Sequence, residues 1–302
     1  MKFLKTNILI TLWLSAYKSF ADDSEHLLCV AIVSRHGDRT PVKFYPNDPY
    51  RNESYWPDGL GELTQMGKKR MFNLGRYLRK RYSFFLTNES CEMYIQSSER
   101  SRCKESANEI ARGIYLSQNS SLHSQNNFDF PIKTIPLKQD ILLTVKPNCP
   151  EAKIELEKVK QSTEFKNINE KYKNLFRFLS ERYEANITDV FGVRVIFSNL
   201  LIERSTGYKL PNWLNSSLME QLKTLAGYSF YFTASTKVLQ KLRAGMLIDE
   251  ILTKFQSFNS NGAKKLNDKK KLYIYSTHDT KITALLSALG VFNNLPPYFG
   301  ST

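Results

Sequence analysis

Ser34-Arg35-His36-Gly37-Asp38-Arg39-Thr40-Pro41, or SRHGDRTP, follows directly on the apolar run Leu27-Leu28-Cys29-Val30-Ala31-Ile32-Val33. The run has the length and apolar content of a buried β-strand. The octet therefore puts two arginines and a histidine where a strand stops. Two later strand-like runs end in the same way. Glu92-Met93-Tyr94-Ile95-Gln96-Ser97 leads to Arg100 and Arg102, and Lys271-Leu272-Tyr273-Ile274-Tyr275-Ser276 leads to His278-Asp279. In open α/β sheets, ligands bind beyond the carboxyl ends of the strands. The three segments are thus expected to meet in one crevice.

Helical patterns separate these strands. Thr64 is a candidate N-cap for a helix reaching about Tyr82, with Met71, Leu74, Tyr77 and Leu78 on one face. Glu99 to Tyr115 reads as a second helix, and Thr280 to Leu289 as a third, stopped by Gly290. Strands alternating with helices predict an α/β fold with a mostly parallel, helix-covered sheet. Residues 150–227 have long amphipathic patterns rich in Lys and Glu with few strand signals, and read as an inserted helical cap domain. The α/β domain then comprises residues 22–149 and 228–302.

Residues 1–21 stand apart. Lys2 and Lys5 precede the apolar run Ile8-Leu9-Ile10-Thr11-Leu12-Trp13-Leu14, and Ser19-Phe20-Ala21 offers small residues for cleavage. This is the pattern of a secretory signal peptide, and the run is too short for a membrane span. Five Asn-x-Ser/Thr sites, at Asn52, Asn88, Asn119, Asn186 and Asn215, suit a glycoprotein surface. Cys29, Cys91, Cys103 and Cys149 allow three full disulfide pairings. A Cys91–Cys103 pair is disfavoured, because an intervening strand at ~3.3 Å per residue holds them too far apart. The spacing lacks CxxC and HxxxH, so no metal is expected.

The formal charge is +14, to which Lys2, Lys5 and Lys18 of the leader contribute. A basic surface favours anionic partners, yet the lysines are dispersed and no nucleic-acid motif is visible. The bland reading of most of them is a solvated surface, and no nucleic-acid partner is expected. His26 and His123 read as surface histidines, whereas His36 and His278 sit inside motifs.

Arginine guanidinium groups are permanently charged forks that match phosphate oxygens. Several around one point bind a phosphoryl group and stabilise charge on its equatorial oxygens. A neutral imidazole among them is a candidate nucleophile, because cationic neighbours lower its pKa. A carboxyl facing bound phosphate is held protonated and serves as a general acid. The residue types alone point to phosphoryl transfer through a phosphohistidine, with no metal or cofactor.

On these residues the sequence resembles the histidine acid phosphatases, the branch with lysosomal, prostatic and secreted insect enzymes. The RHGxRxP signature stands whole as Arg35-His36-Gly37-Asp38-Arg39-Thr40-Pro41, and its distal companion as His278-Asp279-Thr280. Trp56-Pro57, Gly61-Glu62-Leu63-Thr64-Gln65-Met66-Gly67 and Leu74–Tyr82 resemble the family's first long helix and its approach, and the similarity runs from about 27 to about 298. The resemblance implies an α/β domain with a helical cap and hydrolysis of phosphomonoesters at acid pH. It implies His36 as nucleophile and Asp279 as proton donor. Arg35, Arg39, a third arginine and His278 are implied as phosphate ligands. Aligning on Ser106-Ala107 makes Arg102 that third arginine, with Ser101 in place of an Asp and Arg100 at the surface. Arg79 matches another family arginine near the pocket.

The resemblance also carries a tendency to form homodimers and a secreted or lysosomal location. Relatives continue through further strands after the last helix. On that basis the α/β domain is expected to be shortened, with an uncovered sheet edge and Cys149 lacking its partner. Two other readings stand beside the enzyme. One is a secreted interaction protein that keeps the fold with weak or no activity. The other is a phytase-like inositol-phosphate phosphatase, which shares the arginine-histidine signature.

Overall fold

The computed structural model describes residues 27–116, 130–145, 149–258 and 269–302. The leader, Asn119, His26 and His123 lie outside these residues.

Four parallel strands form the sheet, in the order β1 (Val30–Arg35), β4 (Leu272–Thr277), β2 (Met93–Ser98), β3 (Ile132–Ile135). All six residues of β4 are buried, as a strand covered on both faces requires. It pairs with β1 from Val30↔Leu272 to Arg35↔Thr277 and with β2 from Met93↔Leu272 to Ser97↔Ser276. The three motif-bearing strands are therefore neighbours whose carboxyl ends lie together.

Helices α1 (Gln65–Arg81) and α2 (Ser101–Tyr115) cover one face. Val30, Ile32, Ile95, Leu272 and Ile274 pack there against Met71, Leu78, Ile110 and Ile114. The Thr64 side chain accepts from Gly67 N–H, the capping bond foreseen for α1. The two helices cross where Gly75 and Gly113 meet, so closely that a Cβ on Gly75 would lie 2.1 Å from the Ile110 carbonyl oxygen. Tyr273 and Tyr275 point to the other face, where Leu143, Leu247 and Leu285 pack on them.

Six of the remaining helices follow one another along the chain: α3 (Pro150–Gln161), α4 (Thr163–Lys171), α5 (Lys173–Tyr183), α6 (Val190–Thr206), α7 (Ser216–Thr233) and α8 (Lys237–Gln256). The first five gather around a separate apolar cluster that includes Phe176, Leu179, Val193, Leu200 and Leu222 and reaches Leu239 in α8. Helix α7 runs through the expected division at 227/228. Helix α9 (Asp279–Ala288) follows β4 directly, and Gly290 beyond it has the left-handed φ of +75° that ends a helix.

The expectation of an uncovered sheet edge named no strand; at the edge strand β1, backbone partners are found at the carboxyl end. Arg35 N–H donates to the Ser301 carbonyl at 2.9 Å, and Gly300 N–H donates to the His36 carbonyl at 3.1 Å. A segment near the end of the sequence thus supplies partners that the strand rule alone did not foresee. Cys91 is exposed, Cys103 is buried and Cys149 is half-buried. The four described sequon asparagines, Asn52, Asn88, Asn186 and Asn215, are all exposed. Among the described residues no helix is long and apolar enough to cross a membrane.

Candidate active site

A cavity of about 860 Å³ opens where β1, β2 and β4 end, facing the helical layer. Arg35, His36, Arg39, Arg102, His278 and Asp279 all line it. Three strand ends supply them, as the sequence predicted. A shallower hollow of about 580 Å³ against α3 holds none of these residues.

His36 is buried just past β1. Its backbone N–H donates to the Thr277 carbonyl at 3.0 Å, tying the turn to β4. Its Nδ1 lies 2.9 Å from the Gly37 carbonyl oxygen, which fixes Nδ1 as the protonated nitrogen and leaves the Nε2 lone pair for chemistry. Burial, and then the charges of Arg35, Arg39 and Arg102, push this imidazole well below its ordinary pKa. Gly37 allows the turn to sit tight on α1, since a Cβ there would meet the Gly67 carbonyl oxygen at 2.7 Å. Gly37 N–H donates to Ser106 Oγ at 3.0 Å, and that hydroxyl donates to the Arg102 carbonyl at 2.6 Å. One serine thus joins the first motif to α2.

Arg102 stands in the first turn of α2 with its Nη1 donating to the Gly61 carbonyl at 3.1 Å. Ser101, where the resemblance expects an Asp, donates its hydroxyl to Glu62 Oε2 instead. Buried nitrogens Nε of Arg35 and Nε of Arg102 have no hydrogen-bond partner. Arg35 donates to the Pro297 carbonyl at 2.6 Å, and its other terminal nitrogen lies 2.9 Å from Asp279 Oδ2.

Asp279 opens α9, and His278 is that helix's N-cap residue. Burial alone raises the Asp279 carboxyl, but Arg35, Arg194 and Arg39 outweigh it and hold the group at about 2. Burial, with Arg102 and Arg35, lowers His278 to about 3, so it is neutral in mild acid. Its Nε2 is 3.1 Å from Ser98 Oγ, and its ring stands edge-on to His36 with centroids 5.6 Å apart.

The structure does not bring Arg79 to this cavity. It is buried near the far end of α1, donating to the Thr87 carbonyl and to Asn88 Oδ1. The expected pocket role is corrected on that geometry: the C-terminal turn of α1 points away from the strand ends. Arg100, read as a surface arginine, is exposed yet lines the cavity.

Sequence reasoning missed two features. Phe299 lays its ring against the cradle, 4.1 Å from the Arg35 guanidinium carbon and 5.8 Å from that of Arg39. Arg194, from α6, also lines the cavity, near enough to Asp279 to act on its carboxyl. A lone arginine inside the apolar run Val190–Leu201 was the available signal for Arg194. No comparable signal marks Phe299, which sits in a loop.

Comparison with known proteins agrees with this geometry. The family model of the histidine phosphatase superfamily (branch 2) matches residues 26–300. Putative acid phosphatase 5 of Caenorhabditis elegans is 32% identical over 282 residues, covering 92% of this chain and 65% of the relative. Lysosomal acid phosphatase of Xenopus laevis is 34% identical, covering 89% of this chain and 63% of the relative. Human prostatic acid phosphatase is 34% identical, covering 91% and 72%. The chain thus spans less than two thirds of the length of the first two. Among solved structures, the phytase of Citrobacter braakii superposes with a TM-score of 0.65 at 19% identity, covering 88% of this chain and 78% of that one. At that identity the likeness is one of fold.

Proposed function

The chain belongs to branch 2 of the histidine phosphatase superfamily, and from that premise we propose that it hydrolyses phosphate monoesters through a phosphohistidine at His36. The observation that carries this reading is the state of His36: neutral, buried among arginines, and held by the Gly37 carbonyl so that Nε2 is the free nitrogen.

Arg35, Arg39 and Arg102 receive the phosphoryl oxygens, with His278 as a further neutral ligand. His36 Nε2 attacks phosphorus, the ester P–O bond breaks, and the departing alkoxide takes a proton from Asp279. Water then attacks the phosphohistidine, gives its proton back to the Asp279 carboxylate, and releases inorganic phosphate. The arginines act where charge develops in the transition state. In the empty site Asp279 is the counterion of Arg35, so it becomes a proton donor only when a phosphate dianion takes over that arginine. The leader and the exposed sequons support a secreted or lysosomal setting.

The test is rapid trapping under alkaline, denaturing conditions, in which a phosphohistidine survives and from which acid then releases the phosphate. Rapid quench with labelled substrate puts phosphate on His36 in the native protein, and His36→Ala abolishes turnover while retaining vanadate binding. Label on a serine, or activity in the alanine variant, overturns the mechanism.

A further inference from the structure

The cradle accounts for three of the cavity's cations. Four more line it: Lys43, Arg100, Lys138 and Arg194, while Asp279 is the one acid in the lining among the described residues. Lys43, Arg100 and Lys138 are exposed and need no special explanation. Arg194 does. It is half-buried within an apolar helix, its Nη1 is buried without a hydrogen-bond partner, and no ion pair to it forms among the described residues. Its guanidinium rests at 5.1 Å from the centre of the Phe230 ring. Arg243 lies close enough for the two like charges to oppose each other. The acid that Arg194 acts on is Asp279, but that carboxylate is already paired with Arg35, so the buried Nη1 of Arg194 stays an unmet donor, which is costly. Stacking on Phe230 fixes the position of Arg194 but satisfies none of its donors. An anion arriving from the cavity would.

We propose that Arg194 is a specificity-determining residue. It forms a second anion subsite that selects phosphomonoesters whose alcohol portion carries its own negative charge. The subsite faces the cradle from the helical layer, and a cavity of about 860 Å³ has room for a small two-headed ester. Lys43, Arg100 and Lys138 extend the same sign of field outward and steer such a ligand in. The inference rests on the phosphomonoesterase reading above for the identity of the first head-group.

A matched pair of probes tests it. Glycerol 2-phosphate and 2-phosphoglycerate share a skeleton and differ in one hydroxymethyl group against a carboxylate. The native protein is expected to favour 2-phosphoglycerate about tenfold in kcat/KM at low salt, with the preference shrinking as salt is raised. Arg194→Gln brings the ratio toward one, chiefly through KM, and Arg194→Lys retains part of it. A native ratio of one or below, or a ratio unmoved in a folded Arg194→Gln protein, overturns the proposal. The native ratio decides alone if the glutamine variant does not fold. Calorimetric binding of the same pair reads the preference without turnover. Preferential binding without hydrolysis would sink the proposed catalysis and leave the subsite standing.

Discussion

Asp279 Oδ2 and a terminal nitrogen of Arg35 are 2.9 Å apart, with the arginine side chain 8% and the carboxylate side chain 25% exposed. In the proposed mechanism the carboxylate needed as an acid is held as a base until something negative competes for Arg35, so the substrate itself would make Asp279 a proton donor.

The Asp279 midpoint, about 2 in the free protein, is therefore expected to rise by roughly 2–3 pH units in the vanadate complex. Carboxyl carbon-13 shifts of the labelled protein measure it. Asp279→Asn should slow alkyl phosphates far more than nitrophenyl phosphate, because a good leaving group needs no proton. Equal losses on both substrates would make Asp279 a structural counterion only.

Acid should weaken the free protein. His36 and His278 both titrate lower when folded than the unfolded value near 6.5, so the unfolded chain binds the extra protons. Their stabilisation is whole above pH 6.5 and drains away as pH falls, for His278 down to about 3. Asp279 adds a loss between about 3.8 and about 2. Each uncompensated proton contributes at most about 1.4 kcal/mol per pH unit. A melting temperature that falls from pH 7 to pH 4.5, less steeply in His278→Asn, is expected. Vanadate should restore it by mass action. A flat profile would mean these imidazoles are not desolvated.

Ser106 holds two halves of the site in register. Ser106→Ala leaves the buried Gly37 N–H without an acceptor, at a cost of about 1–3 kcal/mol. Turnover should fall more than melting temperature alone explains, with Ser106→Thr recovering part of it. Normal kcat in the alanine variant would show that the turn holds itself.

The crossing of α1 and α2 allows a sharp contrast. Gly75→Ala forces a methyl group into the backbone of Ile110 and should cost about 1–3 kcal/mol or more. Gly245→Ala in α8 meets only Lys241 Cγ at 3.8 Å and should stabilise by about 0.5–1 kcal/mol. Urea midpoints of the two variants check both signs.

The pieces legible in the sequence were those set by local rules. The Thr64 cap, the Gly290 stop and the three strand ends depend on nearby residues, and each stands where expected within one to three residues. What was missed depends on tertiary placement. Strand β3 was not anticipated because Lys133 and Thr134 face outward on a four-residue edge strand flanked by prolines. Arg79 was misplaced because a family match along α1 does not say which turn reaches the strand ends. Arg194 and Phe299 belong to segments whose approach to the cradle is decided by how distant elements pack.

The pairing of Val30 with Leu272 has a kinetic meaning. His36 is translated early and Asp279 late, and the strands that lead to them are hydrogen-bonded neighbours. Closing that long span costs loop entropy before any contact returns it. The signature histidine therefore waits, on a strand lacking its central neighbour, until β4 has been made. Refolding should show α1 and α2 protected from hydrogen exchange well before phosphate-analogue binding appears, with the competent site assembled in the slowest step.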